Sequence, residues 1–97
     1  MGGKYRNQAT ANIANGENTK AARKTLPTNL NKIARRKLTM IEAAHELNDL
    51  KVPPSNFLEK LNKDRKGQHS IRINDQYRIC FIWNNGKAEK IEITDYH

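Results

Sequence analysis

The C-terminal third of the chain decides the fold, and it reads RKGQHSIRINDQYRICFIWNNGKAEKIEITDYH from Arg65 to His97. Three apolar or alternating runs are separated by two turn signals, Asn74-Asp75 and Asn84-Asn85-Gly86. Asn-Gly between apolar runs is a strong hairpin signal, because both residues tolerate positive φ. The stretch therefore predicts a three-stranded antiparallel meander over Gln68–Asn74, Tyr77–Trp83 and Ala88–Tyr96.

The period of two within these runs separates an apolar face from a polar one. The predicted core face carries Ile71, Ile73, Tyr77, Ile79, Phe81, Trp83, Ile91 and Ile93. Ser70, Arg72 and Arg78 project from the opposite face. An arginine in the middle strand of a sheet is costly unless its face meets solvent or a ligand. Arg78 therefore marks a candidate working surface.

The part of the chain before the meander is predominantly helical in pattern. Thr28 can cap a helix that fades near His45–Asn48, because its apolar residues recur at spacings of three and four. Weaker signals indicate an edge strand over Lys4–Ala9, a short helix over Thr10–Asn15 capped by Thr10, and a helical turn over Thr19–Lys24.

The following linker is expected to dock on the core through Phe57 and Leu58. Helices followed by an antiparallel meander predict an α+β fold, with N-terminal helices packed on one face of a small, mainly antiparallel β-sheet. A chain of 97 residues is long enough for one such domain, spanning residues 1–97.

The chain is strongly basic, with a net charge of +8 and a sequence pI near 9.9. This balance favours polyanionic partners, nucleic acid above all. No apolar run approaches the ~20 residues that span a bilayer, so a membrane partner is not expected. The start lacks the apolar segment of a signal peptide, and the lone Cys80 fits a reducing cytosol.

Seven cations lie in a stretch that contains no acid, and they are expected on the solvent-facing sides of the helices. Either this stretch is simply solvated, or it binds phosphates or a partner. Its members are Lys20, Arg23, Lys24, Lys32, Arg35, Arg36 and Lys37.

The motifs leave few chemistries open. There is no cysteine pair, no His-x-x-x-His, no Gly-rich phosphate loop and no Gly-x-Ser-x-Gly, so neither a metal site nor a cofactor is predicted. A basic surface with Asp95, Tyr96 and His97 at the end suits metal-free RNA cleavage. That reaction needs a base for the 2′-OH, cations for the charge on phosphorus and an acid for the 5′-oxygen. Taken alone, the tripeptide also fits a frayed, solvated terminus.

Several segments together resemble the HigB-type toxins of the RelE/ParE toxin–antitoxin superfamily. They are KAARK from Lys20, ARRKL from Ala34, IEAAH from Ile41, LKVPP from Leu50, DRKG from Asp64, SIRINDQYRICF from Ser70 and the closing DYH. The resemblance implies a small α+β toxin in the bacterial cytoplasm that cleaves mRNA on the translating ribosome. It implies as partners a HigA-type helix-turn-helix antitoxin, the 70S ribosome with its mRNA, and operator DNA only through the antitoxin complex.

The resemblance also implies residue roles. Arg78 would stabilise the scissile phosphate, and Asp95, Tyr96 and His97 match the family's catalytic C-terminus, with His97 as the proton-transferring residue. The family's lysine position falls on Asn62, so Lys63 stands one residue late, and some relatives carry a histidine near Glu59.

Lys63 and Glu59 complete the catalytic candidates. The seven cations of the acid-free stretch would dock on ribosomal RNA, together with Arg65, Lys66 and Arg72.

Two other interpretations of the function stay open. A ParE-like toxin shares the fold but inhibits DNA gyrase without cleaving RNA. A basic RNA-binding module would have no toxic activity at all.

Overall fold

The computed structural model describes residues 4–95. Its helices are α1 (Gln8–Ala14), α2 (Lys20–Thr25) and α3 (Asn31–Ala43), and its strands are β1 (Glu59–Lys60), β2 (Gln68–Arg72), β3 (Tyr77–Asn84) and β4 (Lys87–Asp95). Short 3₁₀ turns lie at Thr28–Leu30, Leu47–Lys51, Pro54–Asn56 and Lys63–Arg65. Helices followed by an antiparallel sheet confirm the predicted α+β fold.

The sheet is fully antiparallel, in the order β1-β2-β3-β4. The predicted meander forms β2 to β4, and both turn signals act as expected. The Asn74 side chain accepts hydrogen bonds from the backbone N–H groups of Gln76 (2.9 Å) and Tyr77 (2.8 Å). Asn85 and Gly86 both have positive φ, 54° and 79°, as a type I′ hairpin turn requires.

The segment from Lys4 to Arg6 covers the outer edge of β4. The Ile91 N–H donates to Lys4 O and the Arg6 N–H donates to Ile91 O, both at 2.8 Å. The predicted strand over Lys4–Ala9 is thereby reduced to a single parallel bridge between Tyr5 and Ile91. Helix α1 already begins at Gln8.

The cap of α1 also differs from the prediction. The Asn7 side chain caps the helix by accepting from the Thr10 N–H at 2.9 Å. Thr10 is fully buried instead, and its hydroxyl accepts from the Ile93 N–H at 3.1 Å. Thr10 therefore satisfies a donor on the outer edge of β4, which is why it does not serve as the cap.

The core lies between the helices and the apolar face of the sheet. Each fully buried aliphatic side chain stabilises the fold by about 1.5–3 kcal/mol relative to an exposed one. The buried cluster includes Ile13, Ala22, Leu26, Ala34, Leu38 and Ile41 from the helical region, Leu50, and Ile71, Ile73, Ile79, Phe81, Ile91 and Ile93 from the sheet. The helical layer thus leaves the face that carries Arg78 to the other side of the molecule.

The connection from α3 to β1 corrects two expectations. Lys37 is not on a solvent-facing side of α3: it is only 6% exposed, and its ammonium group donates to the Oδ1 of fully buried Asn56. Phe57 does not dock on the core, because 56% of it is exposed. The half-buried Leu58 alone packs against the core. No helix in residues 4–95 combines the length and apolarity needed to cross a membrane.

Candidate functional site

Arg78 lies on the polar face of the sheet, and three neighbours hold its side chain. We define the polar face as the face carrying Glu59, Ser70, Arg72, Arg78, Glu92 and Thr94. The Nε of Arg78 donates to Ser70 Oγ at 2.7 Å and its Nη2 donates to the Phe57 carbonyl oxygen at 2.8 Å. The same Nη2 lies 3.2 Å from Glu59 Oε1. With the side chain only 12% exposed, the guanidinium has a fixed orientation.

Strand register explains why these groups meet. Ser70 pairs with Cys80 on one side and with Glu59 on the other, so all three lie on one face. Arg78 is two residues from Cys80 along β3 and therefore shares that face. The sequence indicated Arg78 and Ser70. It gave no signal for the Phe57 carbonyl oxygen or for β1, a strand of only two polar residues.

A second arginine lies directly opposite the first, since Arg72 pairs with Arg78 across β2 and β3. Like charges at such positions repel each other. The Arg72 guanidinium turns away: its Nε donates to Asn74 O at 3.1 Å, and its Nη2 pairs with Asp75. It also stacks over the Phe57 ring, 4.9 Å from the centroid. The two cations border a shallow groove of about 250 Å³ lined by Phe57, Leu58, Glu59, Arg72 and Arg78, the Arg78 groove.

A second groove of about 350 Å³, the Lys63 groove, is lined by Asn62, Lys63, Asp64, Arg65, Thr94 and Asp95. Thr94 pairs with Arg78 across β3 and β4, so the two grooves adjoin at this pair. Lys63 lies in a 3₁₀ turn with φ of 56°, and its side chain is exposed. The one-residue displacement from Asn62 therefore falls on a loop, where side-chain direction is not tied to a strand's alternation.

Asp95 closes β4 at the edge of the Lys63 groove. It pairs with Tyr77, and therefore belongs to the opposite face from Thr94 and Arg78. Its Oδ2 accepts from Gln76 Nε2 at 3.0 Å. Tyr96 and His97 follow directly in the sequence and lie outside the described residues.

Arg65 also belongs to the Lys63 groove. Its Nη1 donates to Gln68 Oε1 at 3.1 Å and to Glu92 Oε1 at 3.2 Å, while Arg6 approaches the same Glu92 oxygen at 3.4 Å. Lys66, next along the chain, is exposed.

The cations of the helical layer form a separate group. Those of α2 and α3 that are exposed are Lys20, Arg23, Lys24, Lys32, Arg35 and Arg36. They lie on the layer that packs against the apolar face of the sheet, whereas Arg78 and Arg72 lie on the polar face. The structure thus brings together Glu59, Arg72 and Arg78, and separately Lys63, Arg65 and Asp95, but does not join either set to the helix cations.

Two other reactive side chains sit in the sheet. Burial raises the pKa of the Cys80 thiol, which favours an inert, protonated side chain. His69 pairs with Phe81 across β2 and β3 and is half-buried, with the two ring centroids 6.2 Å apart. Burial lowers its pKa, and the nearby Lys60 adds to that effect. Within residues 4–95, no three His, Cys, Asp or Glu side chains are grouped to hold a metal ion.

A small α+β protein with a basic surface and an arginine fixed on its sheet is the class that fold and site define. The family model for the RelE-like toxin HigB of type II toxin–antitoxin systems matches residues 16–97. The chain belongs to this HigB-like toxin family, which confirms the resemblance seen in its sequence.

Two relatives are each 41% identical to the chain. One is the toxin HigB-1 of Vibrio cholerae, matched over 63 residues, which is 65% of this chain and 66% of that protein. The other is an uncharacterised protein of Haemophilus influenzae, matched over 71 residues, which is 73% of this chain and 70% of that protein. As a toxin of a toxin–antitoxin system, the chain has an antitoxin as a partner.

Proposed function

We propose that this toxin stops translation by cutting mRNA on the ribosome, using the RNA 2′-OH as the nucleophile and no metal ion. The observation that carries the proposal is the fixed guanidinium of Arg78, which adjoins both grooves. Preoriented cations at a phosphate stabilise the charge that develops on it during in-line attack. Action on ribosomes places the toxin in the bacterial cytoplasm.

The proposed reaction transfers the phosphorus from the 5′-oxygen of the next nucleotide to the neighbouring 2′-oxygen. A base removes the 2′-OH proton, the 2′-oxygen attacks, and a 2′,3′-cyclic phosphate forms as the 5′-oxygen leaves with a proton. Glu59, whose carboxylate lies 3.2 Å from Arg78, is a candidate to accept the first proton. His97 is the candidate to deliver the second.

The remaining candidates support these roles. Lys63 adds positive charge at the adjoining groove, Asp95 orients His97, and Tyr96 orients the phosphate or stacks on a base. We further propose a HigA-type helix-turn-helix antitoxin, through which operator DNA is bound. The exposed cations of α2 and α3, with Arg65 and Lys66, are proposed to contact ribosomal RNA.

The first test is cleavage during in vitro translation, with primer extension to locate the cuts. We compare wild type with Arg78→Ala and with a deletion of His97, and use Lys87→Ala, an exposed hairpin lysine, as the matched control. Loss of one charge-stabilising donor lowers such rates by about 10²–10³-fold. We expect that loss for Arg78→Ala, and wild-type cutting for Lys87→Ala.

The chemistry is tested on the substrate. A single 2′-deoxynucleotide on the 5′ side of the cut should abolish cleavage there. Cleavage should survive 1,10-phenanthroline, which chelates transition-metal ions but leaves ribosomal Mg²⁺ in place, and this result would exclude a bound transition metal. Intact mRNA with the wild-type protein would refute the proposal, and a gyrase supercoiling assay would then test the ParE-like alternative.

A further inference from the structure

Phe57 is an exposed aromatic side chain beside Arg78. More than half of the residue is exposed, at 56%, and it lines the Arg78 groove together with Glu59 and Arg72. Single exposed apolar residues are common on protein surfaces. Phe57 differs from such residues in how its ring is held and in what surrounds it.

The backbone presents the ring outward and ties it to Arg78. Phe57 has φ 47° and ψ 56°, a left-handed conformation that bulky side chains rarely adopt. Its carbonyl oxygen accepts from Arg78 at 2.8 Å, and its N–H donates to Pro54 O at 3.0 Å. The preceding Asn56 is fully buried and donates to Leu50 O at 3.1 Å. The ring thus extends from a fixed point next to the guanidinium of Arg78.

A second cation supports the ring from its face. The Arg72 guanidinium lies 4.9 Å from the ring centroid and is itself held by Asn74 O and Asp75. An aromatic ring with Arg72 over one face, on a residue whose carbonyl oxygen is bound by Arg78, offers a stacking surface next to positive charge. Single-stranded RNA is bound by that combination, since its bases stack on aromatic rings while cations contact its phosphates.

We propose that Phe57 stacks on the base of an mRNA nucleotide adjacent to the phosphate that Arg78 contacts. The inference rests on the proposed function and adds to it a residue that positions the substrate. The groove of about 250 Å³ is smaller than the ~300–1,000 Å³ typical of the clefts and cavities that bind small molecules. It therefore suits one planar base rather than a whole ligand. Stacking uses the π-face that every base has, so Phe57 would set the position of the cut more than select one base.

Three substitutions separate stacking from bulk and from folding. Phe57→Asn removes the ring while keeping a residue that tolerates the left-handed conformation. Phe57→Leu keeps apolar volume without a π-face, and Phe57→Tyr keeps the ring. Each is assayed for single-turnover cleavage on ribosomes programmed with a defined mRNA, across a range of toxin concentrations. Urea unfolding of each variant checks that it folds.

A direct readout uses 2-aminopurine in the mRNA next to the cut site, with a 2′-deoxynucleotide at the cut to keep the chain intact. We expect Phe57→Asn and Phe57→Leu to lose on the order of tenfold in kcat/KM, the effect of one base–aromatic stack. Phe57→Tyr should stay close to wild type. The wild-type protein should quench the 2-aminopurine fluorescence, and folded Phe57→Asn should not.

The outcomes distinguish this inference from the proposed function. If the wild-type protein cleaves mRNA, and Phe57→Asn cleaves it as fast and quenches 2-aminopurine as strongly, Phe57 does not stack on a base. The proposed nuclease function would be unaffected by that result. Full activity in Phe57→Leu with loss in Phe57→Asn also overturns the stacking role, because apolar bulk alone would then suffice. A wild-type protein that leaves mRNA intact overturns both.

Discussion

Lys37 is a basic side chain whose environment gives it a structural role. Its ammonium group donates to Asn56 Oδ1 inside the protein, and Asn56 Nδ2 in turn donates to Leu50 O at 3.1 Å and to Val52 O at 3.4 Å. These bonds hold the connection between α3 and β1, at whose end Phe57 and Glu59 stand. Although Lys37 belongs to the basic stretch, it thereby helps to position the residues that line the Arg78 groove.

We expect Asn56→Ala to lower the free energy of unfolding by about 3 kcal/mol. It leaves the Lys37 ammonium group buried without its acceptor, and such losses are strongly destabilising. Urea unfolding at pH 7 measures the effect, with the neighbouring exposed Ser55→Ala as control, expected within about 0.5 kcal/mol of wild type. Adding Lys37→Met should recover part of the loss. If the double variant loses as much free energy of unfolding as the two single variants lose together, Lys37 and Asn56 are not coupled.

Lys37 also predicts a pH dependence of stability. Burial, with a smaller contribution from Arg36, lowers the pKa of Lys37 below its ordinary 10.5. Between the folded pKa and 10.5 the unfolded chain binds more protons at this site, so the free energy of unfolding rises with pH there. The stability of wild type relative to Lys37→Met should therefore increase as pH approaches 10.5. A constant difference across alkaline pH would contradict this.

At the scale of elements, the hairpin between β3 and β4 depends on its turn. Gly86 has φ of 79°, and L side chains pay roughly 1–2 kcal/mol in the left-handed region. A Cβ at Gly86 would meet no atom within 4 Å, so the cost of Gly86→Ala is conformational. We expect a loss of about that size in urea unfolding, against little change for Lys87→Ala beside it. Equal stability of the two variants would exclude a turn-controlled hairpin.

The elements that sequence predicts here are those with strong local chemistry. Asn74-Asp75 and Asn85-Gly86 encode turns in their own side chains and backbone freedom, and the alternation around Ile79 and Phe81 sets the faces of the sheet. The unpredicted features depend on contacts distant in sequence: β1 pairs through Glu59 and Lys60, two polar residues with no strand pattern. For the candidate site, the pattern identified Arg78, but its orientation depends on a carbonyl oxygen, which carries no sequence signal.

For the whole molecule, the arrangement of charge matters more than its total. In this chain of net charge +8, the exposed cations of α2 and α3 lie on one layer, and Arg72 and Arg78 lie on the other. A helical layer that anchors to ribosomal RNA would leave the polar face to receive mRNA. We therefore expect the helix cations to control binding to the ribosome and the polar face to control the chemical step.

The triple variant Lys20→Gln, Arg23→Gln, Lys24→Gln on α2 tests that division. Each lost phosphate contact should reduce the magnitude of the slope of log K against log salt by about 0.7–0.9, so the triple change should reduce it by about 2–3. Sedimentation of the toxin with ribosomes over a salt series measures the slope. Cleavage at saturating toxin should remain near the wild-type rate, because Arg78 and Phe57 are untouched. The matched control is Lys51→Gln, Lys87→Gln, Lys90→Gln, three exposed lysines outside the proposed contact surface whose removal also lowers the net charge by three. If both triple variants weaken binding equally, net charge alone governs association and the helical layer makes no specific contact. If the α2 variant also cleaves mRNA more slowly at saturating toxin, the two layers do not act separately.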